Sequence, residues 1–119
     1  MKAFIRCKDG PYEVEMVDIF MVGGYTFFIH CDIDYIPTEW ETGLAMPTRE
    51  KKDGKVTYIS RETIEQAKDI VKKRYEKEGP TRFDAVIAMG KINHGVVNSG
   101  KPPTRKQVLE SVSKEVEGA

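Results

Sequence analysis

The run from Tyr25 to Ile33, YTFFIHCDI, constrains the fold more than any other stretch of this chain. Tyr25, Phe27, Ile29 and Cys31 alternate with Phe28 and His30, so a strand here is apolar on both faces. Such a strand belongs in the middle of a sheet, covered on both sides. With 119 residues there is material for one modest core, and a single domain spanning 1–119 is expected.

Other strands follow from alternation and turn chemistry. Residues 2–7 alternate Ala3, Ile5 and Cys7 with Lys2, Phe4 and Arg6, and Asp9-Gly10 then signals a hairpin. Tyr12, Val14 and Met16 open a second strand that runs on through Val17, Ile19 and Phe20 to Gly23-Gly24. Pro37 is expected to end the apolar strand, and Thr38–Met46 (TEWETGLAM) to form a fourth, with Gly43 as a bend or bulge. After a charged tip ending in Asp53-Gly54, Val56–Ile59 reads as a short fifth strand.

Helical patterns fill the rest. Ser60 offers an N-cap with Glu62 in the first turn, and Ile64, Ala67, Val71 and Tyr75 make the apolar stripe of a helix to about Glu78. Its other face carries Lys68, Lys72, Lys73, Arg74 and Lys77, as a solvated surface or as one that faces phosphate. Gly79-Pro80 divides this helix from a second one, whose stripe is Phe83, Val86, Ile87 and Gly90. Residues 92–95, Ile-Asn-His-Gly, then read as a turn. Thr104 to Gln107 is a capping box opening a last helix, with Val108, Val112 and Val116 on a narrow stripe beside Leu109. The expected fold is therefore α+β: an antiparallel β-meander of four or five strands followed by three helices.

Lys+Arg and Asp+Glu balance at 19 each, which gives general DNA binding no support and leaves room for a local basic patch. No apolar run reaches membrane-spanning length and MKAFIRCKDG lacks a signal core, so a cytoplasmic protein is expected. Cys7 and Cys31 read as reduced core residues; metal binding is not expected, since only His30 and His94 are available to join them.

No nucleophile elbow, phosphate-binding loop or H-E-x-x-H helix is present. Glu39 and Glu41 flank Trp40 on one strand, either as an acid–base pair or as its wet face, and His94 lies in a loop. An enzyme is not the expectation. Binding is easier to assemble. Phe83 either stacks on a base or begins the core stripe of its helix, and Asn93 offers a donor and an acceptor to a base or ribose edge. Lys101, Arg105 and Lys106 gather at the start of the last helix, where free backbone N–H groups favour phosphate. Arg61, Arg82, Lys91 and His94 complete the candidate ligand-binding set.

In layout, most of the chain resembles the Thoeris anti-defence sponges of the first type. These are small phage proteins that sequester cyclic ADP-ribose isomers made by bacterial TIR-domain proteins. The likeness rests on YTFFIHCDI, a W-E-T-G-L strand, a long charged helix and the pattern R-F-x9-N-H-G. It implies a ligand site built on Phe83 and Asn93, with Arg105 and Lys101 or Lys106 holding phosphates. It further implies a homo-oligomer made from dimers in the host cytoplasm, a ligand kept intact and no cofactor. Cyclic oligonucleotides at separate sites between subunits are also implied. Two alternatives from other classes stand beside it. One is a phage inhibitor that docks on a host or defence protein, marked by an exposed apolar patch at Trp40 and Leu44. The other is a nucleotide-cleaving enzyme using Glu39, Glu41 or His94.

Overall fold

The computed structural model describes residues 1–117, with side chains as far as Ser113. The apolar run becomes β4 (Tyr25–Asp32), lying between β3 (Asp18–Val22) and β5 (Asp34–Glu39) in a three-stranded antiparallel sheet. Both of its faces are covered, as the run requires. On one side Phe28, Ile19 and Trp40 pack with Ala3 and Met16 of the N-terminal segment and with Val108. The N-terminal hairpin is β1 (Lys2–Cys7) with β2 (Gly10–Glu15), and Val108 belongs to α2 (Arg105–Glu117). On the other side Phe27 packs with Val71, Phe83 and Ile87 of α1 (Ile64–His94). Phe27, Phe28 and Phe83 are almost wholly buried, and each ring contributes about 1.5–3 kcal/mol by leaving water.

The architecture is α+β with antiparallel strands, but among the described residues the strands form three small sheets and the helices number two. The expected second strand is in fact β2 and β3. Met16 and Ile19 reach the same apolar cluster although they are three residues apart, an odd spacing that one continuous strand cannot give. The chain changes partner there: Met16 N–H donates to Met1 at 2.8 Å and Val17 N–H to Ile29 at 2.8 Å. Pro37 does not end a strand. It lies inside β5, an edge strand where a missing N–H costs no ladder bond, and its carbonyl accepts Met46 N–H at 2.9 Å. The strand expected over Thr38–Met46 stops at Glu39, whose carbonyl accepts Gly43 N–H at 3.0 Å in a turn.

The third sheet is a hairpin of β6 (Arg49–Lys52) and β7 (Lys55–Tyr58). Asp53 and Gly54 have φ of 52° and 76°, the doubly left-handed turn that matches strand twist.

Thr63, rather than Ser60, caps α1, in a capping box with Gln66; Glu62 precedes the helix. The division expected at Gly79 is present inside α1: Gly79 is non-helical, at φ 80° and ψ 165°, and separates the helix into two limbs, with Pro80 starting the second. The expected turn at 92–95 is the last turn of that helix; Gly95, at φ 77°, ends it. Thr104 and Gln107 form the second capping box, with Thr104 N–H to Gln107 Oε1 at 2.9 Å and Gln107 N–H to Thr104 Oγ1 at 3.2 Å. α2 docks on its own domain through Val108; Val116 lies outside the residues whose side chains are described. Cys7 and Cys31 are exposed free thiols, contrary to the core reading, because each sits near the end of its strand, past the covering elements. Among the described residues no helix is long and apolar enough to cross a membrane.

Candidate functional site

Phe83 is 2% exposed. Its ring lies 5.2 Å from that of Tyr75, edge-on, and 5.8 and 5.9 Å from those of Tyr25 and Phe27. Of the two readings of Phe83, the structure places it in the core: the ring is buried among three aromatic neighbours and not presented for stacking on a base. Asn93 and His94 are exposed on the last turn of α1, and Arg82 is exposed on its second limb. Lys91 Nζ pairs with Glu41 at 2.9 Å. Arg61 pairs with Asp34 at 3.8 Å, next to the bond from Tyr35 N–H to the Arg61 carbonyl. Lys101 and Lys106 line different surface recesses.

Arg105 is committed elsewhere. Its Nε donates to Asp18 Oδ1 at 3.0 Å, and Lys68 Nζ lies 2.9 Å from Asp18 Oδ2. Asp18 is 2% exposed and also accepts the Ile19 N–H at 2.8 Å. Burial alone raises its pKa, but the hydrogen bonds from Arg105, Lys68 and Ile19 outweigh this and hold the carboxyl below its ordinary value. The expected phosphate ligand is thus a clamp between α2 and β3.

Glu39 and Glu41 do not share a wet face. Glu39 is buried and accepts the backbone N–H groups of Glu41 and Thr42, closing the Trp40–Gly43 turn from inside. Burial pushes its pKa up, against the lowering effect of those two bonds. Asn98 was legible only as part of a connector, yet it is buried with every bond made. It accepts Phe4 N–H at 2.8 Å and donates to the carbonyls of Phe4 at 2.8 Å and Trp40 at 2.7 Å. Trp40 itself is 8% exposed and edge-on to Phe28 at 6.0 Å, so the expected apolar docking patch around it is not there.

What the structure does bring together is a cleft of about 490 Å³ between the β6–β7 hairpin and the first limb of α1. One helical face supplies Gln66, Asp69, Ile70, Lys73, Arg74 and Lys77, recurring every three or four residues, and the hairpin supplies Arg49, Glu50 and Lys51. Pro47, Ile59 and Ile70 give it an apolar lining. Five cations therefore face two carboxylates, Glu50 and Asp69. Arg74 is partly neutralised outside the cleft by Glu78 at 3.3 Å. Gln66 Oε1 is used by the helix cap, accepting from Glu62 N–H at 2.8 Å and Thr63 N–H at 3.2 Å, which leaves its amide N–H groups to the cleft. A concave, partly apolar surface with an excess of one sign of charge focuses potential and concentrates the opposite ion. Tyr58, opposite Arg49 in the hairpin register, is exposed.

Of the basic helix face read from the sequence, Lys73, Arg74 and Lys77 line the cleft, whereas Lys72 lies outside the lining and Lys68 is corrected to a buried partner of Asp18. The hairpin wall was not visible in the sequence, because only the tertiary fold sets it beside the helix. Comparison with protein-family models, curated proteins and solved structures finds no match.

Proposed function

We propose that this domain captures a phosphate-bearing signalling nucleotide of the cyclic ADP-ribose type and holds it without turnover, so blocking a TIR-based bacterial anti-phage defence. The observation that carries the reading is the cleft, with five cations against two carboxylates in about 490 Å³. That volume lies within the ~300–1,000 Å³ usual for small-ligand sites. A cyclic nucleotide with two phosphates needs two or three cations and edge donors, and Lys73, Lys77, Arg49, Lys51 and the Gln66 amide answer that need. Capture asks for affinity and slow release, and for no proton transfer. The site so read is displaced from Phe83 and Asn93, the positions the family resemblance implied.

Calorimetric titration with cyclic ADP-ribose and its linkage isomers, then heat denaturation and chromatography of the supernatant, tests the reading. Heat of binding with intact nucleotide recovered is the expected result. Altered nucleotide would make the protein an enzyme, and no heat would end the nucleotide reading.

A second reading, direct docking on a protein, is favoured by one feature. Val86, Met89 and Ile92 on the second limb of α1 are 54%, 53% and 77% exposed, an apolar row of the kind that marks an interaction face. The same row suits association of copies of the chain, as an oligomer built from dimers would need.

A further inference from the structure

The cleft has one fixed wall and one hinged wall. α1 is anchored by Ala67, Ile70 and Val71 in the core. The β6–β7 hairpin has no packed face at all, since every residue of both strands is exposed. The segments flanking it attach to the outer edge of β5 by few backbone bonds: Met46 N–H to Pro37 at 2.9 Å and Glu39 N–H to Leu44 at 3.0 Å around the Thr38–Ala45 bridge on one side, and Tyr35 N–H to Arg61 at 3.0 Å on the other. Ile59 N–H to Thr48 at 2.8 Å closes its base. The tight Asp53-Gly54 turn and the cross-strand ladder keep the hairpin itself stiff. Rigid-body movement of the hairpin would therefore bend the chain at the connections, around Pro47 and Ser60.

The two walls carry like charge: Arg49 and Lys51 on the hairpin, and Lys73, Arg74 and Lys77 on the helix. Cations facing one another repel, and a multivalent anion between them turns that repulsion into attraction on both sides. We propose that the hairpin is a lid, closing onto α1 over a bound polyphosphate or cyclic nucleotide diphosphate and slowing its release. The inference rests on the reading of the cleft as an anion site. Low-stability, weakly packed segments are where such closing elements are found.

The test uses the whole chain and inorganic pyrophosphate as the probe, with calorimetry and amide hydrogen exchange run on the same samples. Saturating pyrophosphate is expected to slow exchange of the Arg49–Tyr58 amides by about five-fold or more. It is also expected to slow tryptic cleavage after Lys52 and Lys55, which lie outside the lining of the cleft. Heat of binding with unchanged hairpin exchange and cleavage would overturn the lid and leave the anion site standing. No heat with pyrophosphate or with cyclic ADP-ribose would overturn both.

Discussion

Asp18 Oδ1 and Arg105 Nε stand 3.0 Å apart although 87 residues separate them in the chain. With Lys68 on the other carboxylate oxygen, this contact joins β3 to both helices. A buried carboxylate holding two cations is costly to assemble, and costlier still to leave half-made. Asp18→Asn keeps the shape but strands Lys68, itself nearly buried, without a counter-charge. We predict that it lowers the unfolding free energy by about 3–5 kcal/mol, read by urea denaturation. Arg105→Gln, at an exposed guanidinium, is expected to cost less and to leave nucleotide affinity unchanged. If it keeps stability and loses binding, Arg105 is a phosphate ligand after all.

How much of this was legible varies residue by residue. The two-faced burial of β4 follows from the Tyr25–Ile33 run alone, since no half-exposed strand carries apolar groups at both parities. The break between β2 and β3 was also written there, in the three-residue spacing of Met16 and Ile19, but an apolar run hides a change of phase. Pro37 misled because its prohibition applies to central strands, and β5 is an edge. For Phe83, periodicity shows a stripe without saying what it meets. The cleft needs the hairpin to stand beside α1, and that is a tertiary fact with no local signal.

Gly43 tests the turn that replaced the expected strand. Its φ is 68°, and a Cβ there would lie 2.5 Å from Val97 Cγ2 and 3.0 Å from the Phe4 carbonyl oxygen. Gly43→Ala meets both backbone strain and a clash with main chain, so a loss of about 2–3 kcal/mol is expected. Gly54 has φ of 76° but open space around it, so Gly54→Ala should cost only about 1 kcal/mol. Equal losses in denaturant titrations would mean that crowding at Gly43 is relieved by local movement.

Acid should weaken the fold through His30 before it reaches Asp18. Burial drives the His30 pKa below its usual 6.5, with Asp32 opposing, and Nδ1 has no hydrogen-bond partner among the described residues. A depressed folded-state value means the stabilisation is complete above about pH 6.5 and is lost as pH falls toward the folded pKa. Glu39, with its raised pKa, acts with the opposite sign above 4.5, so the two effects overlap. The difference between wild type and His30→Phe isolates the histidine. Wild-type stability relative to that variant is expected to fall between pH 6.5 and 5, and a flat difference would show that His30 titrates normally. Asp18, depressed from 3.8, should add its own loss only below about pH 4.

Two pairs of substitutions decide where the ligand sits. Phe83→Ala should cost about 3–5 kcal/mol, as expected for truncating a buried aromatic ring, whereas Asn93→Ala, at an exposed side chain, should stay within about 0.5 kcal/mol. Neither folding result depends on ligand. Each charge-assisted bond from the cleft is worth about 1.5 kcal/mol, or roughly ten-fold in affinity. Lys73→Gln with Lys77→Gln is therefore expected to weaken cyclic ADP-ribose binding about a hundred-fold, with stability nearly unchanged because both side chains are on the exposed face of α1. The remaining affinity should fall less steeply with salt, since fewer cations are engaged. Calorimetry on the folded variants reads all of this. Full binding in the double lysine variant, with loss in Asn93→Ala, would move the site from the cleft to the C-terminal turn of α1.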